Sequence, residues 1–492
     1  MKKISAISKS DLGKSIFSSF TLFFLNNLVA LFLTPYILKY VSKEEYGLYI
    51  LCIDFLAWMS FLDLGINKVI ETKAAHLITQ ENYTELNKTL NTALGVQVLV
   101  SILIIPLYFL LVYLGIGKSN LGNIQLIISF FALSAALTNV KNLFSSTIVA
   151  SRKIHLDNRI QIFINVLQYA LVITLVPFTN LIGLAVINVI IVALMVIRSS
   201  WRVKTLFPEI QWNLKHFDIQ TIKGILKDGF FFSLSSLATL FLMKIDTYII
   251  GNEFNLEKVA SYYISIKLFM LSLKVGEMVI NNFRPHISRM YIQKDFKNLQ
   301  SFYEKCMITI ICVGTIGVTI VMNINPYFVQ LWVGKSFYLN DFFNLFFGYY
   351  MLFSLLTLPA RIVLVSSLYK IHLLSFSRIF EGVFRVVIII IFIRYKQIEL
   401  LPLSSLLAIY LFGLIFFHFM MQLYFKKHGV TQSKGFILPI TLILFIPLLI
   451  VFSGVSNSWT YILIPLLGTF FLIYLRKNKT EFLSLATALL KK

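Results

Sequence analysis

Fourteen apolar segments separated by short polar joints dominate this 492-residue sequence. Each is about as long as the roughly 20 apolar residues that cross a bilayer as one helix. In lipid every backbone polar group must be bonded within the chain, so such a sequence folds as a bundle of helices. The sequence therefore predicts an all-α polytopic membrane protein. The predicted spans are 15–40, 46–66, 91–115, 122–150, 160–177, 181–199, 229–250, 260–283, 303–324, 342–366, 377–394, 400–424, 435–453 and 459–475.

The basic residues predict how these spans are oriented. Lys and Arg number 44 against 22 acidic residues, and the short cytoplasmic loops of membrane proteins carry an excess of Lys and Arg. If the N-terminus is placed inside, most loop cations fall on the inner side. We therefore expect both termini in the cytoplasm. The first span, which follows a basic segment, is expected to stay as an uncleaved anchor. The outer exceptions are Lys39, Lys43, Lys118, Lys258, Lys335, Arg394 and Lys396.

Two parts of the sequence repeat in the same order. Residues 41–90 align with 254–303 at a constant offset of 213, and 153–156 recur as 370–373. An even number of predicted spans separates the copies, so the repeat is parallel unless the similarity is chance. We expect two six-helix lobes and two C-terminal helices. The expected domains are an N-lobe (1–199), a cytoplasmic linker (200–228), a C-lobe (229–425) and the last spans with a cytoplasmic tail (426–492).

The predicted eighth span contains three ionisable residues, Lys267, Lys274 and Glu277. At about 100° per residue they fall on one helix face. Charge at this depth is costly and is expected to face a partner or a water-filled cavity. Lys274 lies close to mid-span, so the sequence predicts a cationic site that faces a substrate. The alternative is a Lys274–Glu277 pair that only neutralises itself.

Other predicted spans carry further charges. The repeat places Asp54 at the position of Lys267, which allows a direct pair across a central cavity. Lys141, Arg361 and Lys244 are within reach of a membrane surface, so snorkelling is the alternative to a cavity position. The candidate substrate-binding residues are Lys267, Lys274, Lys244, Arg361 and Lys141, and the candidate ion-coupling residues are Asp54 and Glu277.

Several polar residues in the spans have structural interpretations. Glu381 and Arg385 are four positions apart, and we expect them to pair within their helix. Asp246 is expected close to a membrane interface. Gln97 and Asn139 are expected to form hydrogen bonds between helices.

Motifs for enzymatic chemistry are missing from the sequence. Three Gly-Lys-Ser triplets lack the earlier glycine of a phosphate-binding loop, and the seven His residues show no metal-ligand spacing. Every predicted outer loop is short. The sequence therefore predicts a non-enzyme with no cofactor, no metal and no nucleic-acid partner.

Several stretches together resemble one known family. They are Gly13 before a long first span, the segment 42–49 (Ser-Lys-Glu-Glu-Tyr-Gly-Leu-Tyr), the segment 62–66 (Leu-Asp-Leu-Gly-Ile), and 326–334, which runs from a proline to Trp332-Val333-Gly334. With the plan of six, six and two spans, this set resembles the Wzx-type polysaccharide (O-antigen) flippases of the multidrug/oligosaccharidyl-lipid/polysaccharide exporter (MOP) superfamily.

The resemblance implies a MATE- or lipid-flippase-like fold in a bacterial inner membrane. The implied cargo is an undecaprenyl-pyrophosphate-linked oligosaccharide, moved from the cytoplasmic to the outer leaflet by alternating access. Lys244, Lys267 and Lys274 match the family's cationic cavity by span, whereas the second span offers Asp54. The implied partners are this lipid-linked substrate, membrane lipids, a polysaccharide polymerase and a chain-length regulator.

Two other functions stay open from the sequence. A cation-coupled multidrug antiporter of the same superfamily predicts a buried acid in the first span, which is missing here. A membrane-embedded polysaccharide polymerase, which is an enzyme, predicts a sizeable outer loop. Coupling of transport to an ion gradient or membrane potential is a hypothesis for each transporter.

Overall fold

The computed structural model describes residues 2–116, 123–151, 153–213, 217–281, 283–367, 371–395 and 397–430, and all regular structure in these ranges is helical. This confirms the predicted all-α class. The helices are α1 (Lys2–Ile37), α2 (Lys43–Met59), α3 (Ile66–Thr79), α4 (Tyr83–Ile116), α5 (Ile124–Ala150), α6 (Ile154–Leu206), α7 (Ile219–Met243), α8 (Ile245–Glu253), α9 (Leu256–Asn281), α10 (Arg284–Ile292), α11 (Phe296–Thr309), α12 (Thr315–Trp332), α13 (Asp341–Ser366), α14 (Ile371–Ile393), α15 (Leu401–Ala408) and α16 (Phe416–Lys427).

Seven helices in the described ranges are long and apolar enough to cross a bilayer, or eight if the bent α7 counts as one span. The predicted number of 14 is therefore not confirmed. One reason is that helix α6 contains two predicted spans. Its 53 residues correspond to about 80 Å, far more than the thickness of the hydrocarbon layer, which is roughly 30 Å. Asn180, with φ 49° and ψ −135°, breaks α6 between the predicted fifth and sixth spans. The predicted spans 435–453 and 459–475 and the tail lie outside the described residues.

The predicted repeat is visible in where the helices begin. Helices α2 and α9 begin 213 positions apart, at Lys43 and Leu256, and so do α4 and α11, at Tyr83 and Phe296. Helices α5 and α13 begin 217 positions apart, as do α6 and α14. Both halves therefore repeat the same order of helix starts at the two offsets found in the sequence.

The turn between α3 and α4 repeats in atomic detail between α10 and α11. Glu81 and Lys294, again 213 positions apart, both have φ 57°, in the left-handed region that residues other than glycine seldom adopt. The next residues, Asn82 and Asp295, accept a helix-capping hydrogen bond three residues on, at 3.1 and 3.3 Å. Shared strain at one alignment position argues against chance similarity.

The predicted linker is held by two asparagines of α4. The Nδ2 atoms of Asn87 and Asn91 donate to the carbonyls of Glu209 and Gln211, each at 2.8 Å. Their Oδ1 atoms accept from the backbone N–H groups of Gln211 and Asn213, also at 2.8 Å. This pairing satisfies an extended segment that has no helical hydrogen bonds of its own.

A buried apolar cluster lies beneath this linker. Phe207 and Ile210 are 6% and 2% exposed, and the Trp212 ring meets the Phe144 ring edge-on at 5.4 Å. The cluster joins the end of α6 to α3, α4 and α5. Residues of the cluster on those helices include Ile66, Val69, Ile70, Ala74, Leu86, Leu90 and Leu143.

Two glycines of the resemblance segments permit close backbone contacts. A Cβ on Gly47 of α2 would lie 1.8 Å from the carbonyl oxygen of Leu256 at the start of α9. A Cβ on Gly65, whose φ is +74°, would lie 2.3 Å from the carbonyl oxygen of Gly229 in α7. Only glycine fits at such distances, which gives these segments a packing role.

The described residues form two compact units. The first contains 2–265, 328–339 and 378–401, and the second contains 266–327, 340–377 and 402–430. The domain boundaries expected from the sequence stay a prediction.

Candidate functional site

A break in a membrane-length helix organises the first unit's buried charges. Helix α7 ends at Met243 and α8 starts at Ile245, with Lys244 between them at φ −128° and ψ −9°. The Nη1 atom of Arg385 in α14 donates to the carbonyls of Phe241 and Leu242 at 3.1 and 2.5 Å. A broken helix is tolerated at membrane depth where the protein itself satisfies the freed carbonyls.

Arg385 also forms a two-pronged ion pair with Asp246 of α8. Its Nη2 atom lies 2.6 and 2.5 Å from the two carboxylate oxygens, and the side chains are only 3% and 4% exposed. The Tyr262 hydroxyl of α9 donates to the same carboxylate. Asp246, expected near an interface, is thus a buried partner of two other helices.

The expected Glu381–Arg385 pair is wrong. Glu381 pairs instead with Arg378, at 2.7 Å and i,i+3 spacing, and Arg385 turns to α8. The guanidinium has five donors, and the α7–α8 break offers both a carboxylate and free carbonyls. One helix read alone does not reveal such acceptors on another helix.

Two predicted functional residues pair with each other at this break. The Lys244 ammonium donates to Asp54 of α2, whose side chain is 6% exposed, while that of Lys244 is 34% exposed. The Thr247 hydroxyl donates to the Lys244 carbonyl at 3.0 Å. A candidate cation and a candidate ion-coupling acid therefore neutralise each other here.

Three predicted residues lie together on α9, in the second unit. Lys274 Nζ is 4.0 Å from Glu277 Oε2, with side-chain exposures of 53% and 26%. Lys267 is half-buried on the same helix. The 4.0 Å pair is long, so both groups are still accessible to another partner.

The two remaining predicted cations lie in different units. Lys141, on α5 in the first unit, is half-buried and interacts electrostatically with Asp157. Arg361, on α13 in the second unit, is also half-buried. Lys141 makes no ion pair with Asp54, whose partner in the first unit is Lys244. The roles of all the predicted site residues stay predictions.

A polar cavity of about 300 Å³ lies within the first unit. Asp63 is fixed at its wall by the Gly65 N–H and by Asn67 Nδ2, both at 2.7 Å. Lys68 and Glu71 form an ion pair at 2.8 Å. We call this space the polar cavity; its lining is Asp63, Gly65, Asn67, Lys68, Glu71, Asn142, Ser145, Ser146, Val149, Phe232 and Ser236.

Several polar groups at the polar cavity have unused hydrogen-bonding capacity. The side chains of Asn142 and Ser146 bond to no other residue in the described part of the chain, although Ser146 is only 5% exposed. Behind the wall, Gln97 Nε2 reaches Asn67 Oδ1 at 3.5 Å, while the buried Oε1 of Gln97 and Oδ1 of Asn139 have no partner there. Such groups are normally satisfied by water or a ligand.

The sequence contained a signal for this cavity. Asn142, Ser145, Ser146 and Val149 are spaced i, i+3, i+4 and i+7, which places them on one face of α5. The expected interhelical bonding of Asn139 is confirmed, because its Nδ2 donates to the Gln97 carbonyl at 3.1 Å and to Ser101 Oγ at 3.3 Å. In the described residues, no group of three or more His, Cys, Asp or Glu side chains is placed to hold a metal ion.

Comparison with known proteins decides the family. The model of the family described as "Polysaccharide biosynthesis protein" matches residues 12–291, more than half of the chain. The chain belongs to this family. It is a multi-pass membrane member of it, because its long apolar helices are those of a membrane protein.

Two curated relatives are named as a transporter and as a membrane protein. The "Putative O-antigen transporter" of Shigella flexneri is 21% identical over 325 residues, covering 64% of this chain and 75% of the relative. The "Uncharacterized membrane protein EpsK" of Bacillus subtilis (strain 168) is 21% identical over 332 residues, covering 65% of each chain.

Solved structures show the same fold. The lipid II flippase MurJ in an inward closed conformation matches with a TM-score of 0.66 at 14% identity, covering 95% of this chain and all of the other. An inward-facing multidrug resistance MATE transporter of the MOP superfamily matches at 0.63 and 14%, covering 83% and 95%. At 14% identity these matches show the fold, and they confirm the expected MATE- or lipid-flippase-like fold. The family match and the name of the O-antigen transporter relative agree with the resemblance to the Wzx-type flippases and with the expected non-enzyme.

Proposed function

We propose that this protein moves an undecaprenyl-pyrophosphate-linked oligosaccharide from the cytoplasmic to the outer leaflet by alternating access. The observation that carries the proposal is the polar cavity, a hydrogen-bonding space set among long apolar helices. Family membership and the names of the O-antigen transporter and lipid II flippase relatives support the same cargo class.

The polar cavity has the chemistry of a sugar site. Its volume of about 300 Å³ is at the lower end for small-molecule sites, which start near 300 Å³. Asn142 and Ser146 offer unused hydrogen-bond donors and acceptors. A sugar hydroxyl can bond to either kind of group, because it both donates and accepts. The Phe232 ring, 46% exposed, offers an apolar face for a pyranose ring.

The pyrophosphate needs a different part of the protein. In the polar cavity the only cation of the lining is Lys68, which is paired with Glu71, and Asp63 adds a further negative charge. We propose that the cations of the second unit, Lys267, Lys274 and Arg361, hold the pyrophosphate, because charge-assisted bonds to phosphate strengthen away from bulk water.

Coupling to an ion gradient is proposed at Asp54 and Glu277. Protonation of Asp54 would release Lys244 from its ion pair and leave a mobile cation at the α7–α8 break. Transport in proteoliposomes should therefore respond to pH, sodium or membrane potential. Indifference to all three would refute the coupling but leave the cargo assignment in place.

The cavity is tested by export of surface glycan in a flippase-null strain that expresses the protein. Asn142→Leu with Ser146→Val removes the unused polar groups and fills space, and we expect export to fall about ten-fold or more, as for two lost hydrogen bonds. The matched control is Ser129→Ala on the same helix, an exposed serine that bonds only the Gln125 carbonyl. Unchanged export by the double variant at normal protein level would refute the sugar site.

The same strain tests the phosphate cations. Lys267→Ala and Lys274→Ala should each lower export about ten-fold or more, because each removes a charge-assisted contact to pyrophosphate. Lys258→Ala is the matched control, since Lys258 is an exposed lysine in the first turn of α9. Full export by both lysine variants would remove these residues from the site.

The proposed location is a bacterial inner membrane with both termini cytoplasmic. Contacts in the first unit join segments that were predicted to share a side: Lys43 with Ser336 on the outside, and Asn87 with Glu209 on the inside. We also propose a polysaccharide polymerase and a chain-length regulator as partners, tested by co-purification from the native membrane.

A further inference from the structure

Pro35 leaves one carbonyl of α1 without its helical partner. Proline has no backbone N–H, so the carbonyl four residues earlier, on Leu31, loses the hydrogen bond that an α-helix normally supplies. At membrane depth no water is present to replace that donor. Leu31 therefore needs a donor from another part of the protein.

Trp332 supplies that donor from 301 positions away. Its indole Nε1, the single donor of the side chain, lies 2.5 Å from the Leu31 carbonyl oxygen. The Trp332 ring stacks on Phe328 at 5.0 Å, which fixes the indole edge toward α1. The tryptophan of the resemblance segment 326–334 thus has a defined acceptor, and Pro35 creates that acceptor.

The chain after Trp332 is held by two more side chains, Lys43 and Ser265. The Lys43 ammonium donates to the Ser336 carbonyl at 2.7 Å and lies 4.9 Å from the centre of the Phe337 ring. The Ser265 hydroxyl donates to the Phe337 carbonyl at 3.2 Å and accepts from the Leu339 N–H at 3.3 Å. Each of these contacts lies within the first unit.

Gly334 lets the chain fold back onto these partners. Its φ of +107° lies in a region that favours glycine, and it is the second residue after α12 ends at Trp332. The segment from Trp332 to Leu339 is thus bound to α1, α2 and α9 through a few separate hydrogen bonds. Lys335 and Ser336 of this segment are exposed within the described part of the chain.

We propose that Trp332–Leu31 and Lys43–Ser336 form an outer latch, which shuts the predicted outer end of the first unit and must open once in every transport cycle. The latch rests on the proposed function, since it assumes alternating access. A few polar bonds and one cation–π contact suit repeated opening, because each is weak enough to exchange with water when that end becomes wet.

The proline gives a sharp test of the Trp332–Leu31 bond. In Pro35→Ala the restored N–H of residue 35 can bond the Leu31 carbonyl and take it from Trp332, whereas Trp332→Phe removes the donor but keeps a stacking ring. Both changes delete the same bond, so their effects should not add. The matched control is Trp201→Phe, at an exposed tryptophan of α6.

The measurement is hydrogen exchange on the full chain in lipid nanodiscs. We expect amides at 336–340 to exchange about five-fold faster in Pro35→Ala, in Trp332→Phe and in the double variant alike, as for one lost hydrogen bond. Exchange that stays at the wild-type rate in both single variants, or effects that multiply in the double variant, would overturn the Trp332–Leu31 bond.

Cross-linking separates a latch that opens from a static cap. The double variant carries Ser42→Cys and Lys335→Cys, at two exposed positions beside the latch, in a background without Cys52, Cys306 and Cys312. A membrane-impermeant bismaleimide joins the two introduced thiols on intact cells. New surface glycan should stop appearing in the cross-linked double variant and continue in each single variant treated alike. Undiminished export by cross-linked protein would refute the latch alone. No export by wild-type protein would refute the proposed function, but the hydrogen-exchange evidence for the Trp332–Leu31 bond would be unaffected.

Discussion

Arg385 shows how one side chain satisfies a broken helix inside a membrane protein. It bonds two freed carbonyls of α7 and both oxygens of Asp246, while only 3% of its side chain is exposed. Lysine has a single ammonium and does not make this planar, multiple contact. The residue is therefore tied to the α7–α8 break rather than to its own helix.

Replacing Arg385 should destabilise the protein strongly. Arg385→Met leaves the Asp246 carboxylate buried without its cation, which costs about 3–5 kcal/mol. We expect a clearly lower unfolding temperature of the purified protein in detergent. Adding Asp246→Asn to Arg385→Met should recover much of the loss, because the uncompensated charge is then gone.

The matched control for that prediction is Arg394→Met, at an exposed arginine just beyond α14. A surface change of this kind is expected to stay within about 0.5 kcal/mol. Equal effects of Arg385→Met and Arg394→Met would contradict the role given to the buried ion pair.

At the scale of elements, the repeated turns carry matching backbone strain. Glu81 and Lys294 each hold φ at 57°. Glu81→Gly and Lys294→Gly should each stabilise the fold by roughly 0.5–1 kcal/mol, since glycine adopts this conformation without the penalty of a Cβ. The check is the unfolding midpoint in detergent for each variant.

Gln80→Gly is the matched comparison for these turns. Gln80 precedes Glu81 and has φ −87°, so glycine there only adds freedom to the unfolded chain. We expect a loss of roughly 0.5–1 kcal/mol. A gain from Gln80→Gly as large as that from Glu81→Gly would show that turn strain is not the cause.

The start of α7 should respond to acid through its capping residue. Asp218 accepts from the N–H and hydroxyl of Thr221, with Lys88 at 3.2 Å, and these contacts lower the pKa of the carboxyl from 3.8 to about 2. A lowered pKa means that its contribution is complete above about pH 4 and is lost as the pH falls toward 2. The protection factors of the amides at 219–222, which correct for the pH dependence of intrinsic exchange, should fall in that window.

Asp218→Asn separates charge from capping at this position. Asparagine still caps a helix but does not titrate, so the pH dependence between 4 and 2 should disappear while the cap stays. A variant that keeps the wild-type pH profile would show that another group causes it.

At the scale of the whole molecule, contacts within each unit agree with the predicted sides of the membrane. In the first unit the Asn87 side chain meets the Glu209 carbonyl, and Lys43 meets Ser336. In the second unit the Phe296 and His428 rings, both predicted on the inner side, stack at 3.8 Å. No contact among these joins segments that were predicted on opposite sides.

Cysteine labelling checks this orientation. Ser336→Cys should react with a membrane-impermeant maleimide on intact cells, while Glu209→Cys should react only after the cells are made permeable. Both positions are exposed in the structure, so access to the reagent depends on the side of the membrane. Reaction of both on intact cells would contradict the predicted topology.

The sequence alone determined the features that arise from local patterns. Continuous apolar runs of about 20 residues predict helices in lipid, because a helix of that length satisfies its backbone polar groups within the segment. The offsets of 213 and 217 between the repeats correspond to helix starts, since each half keeps the same order of caps and turns. The motif set around Gly47 and Trp332 was enough to predict the family.

Tertiary structure decided which charges meet. Arg385 pairs with Asp246, Asp54 with Lys244, and Trp332 bonds the Leu31 carbonyl, in each case across many residues of sequence. Helical periodicity gives the face on which a side chain lies but not the neighbouring helix that the face meets. Because burial makes an unpaired charge or carbonyl costly, the partner is fixed by the packing of the whole unit rather than by spacing along the chain.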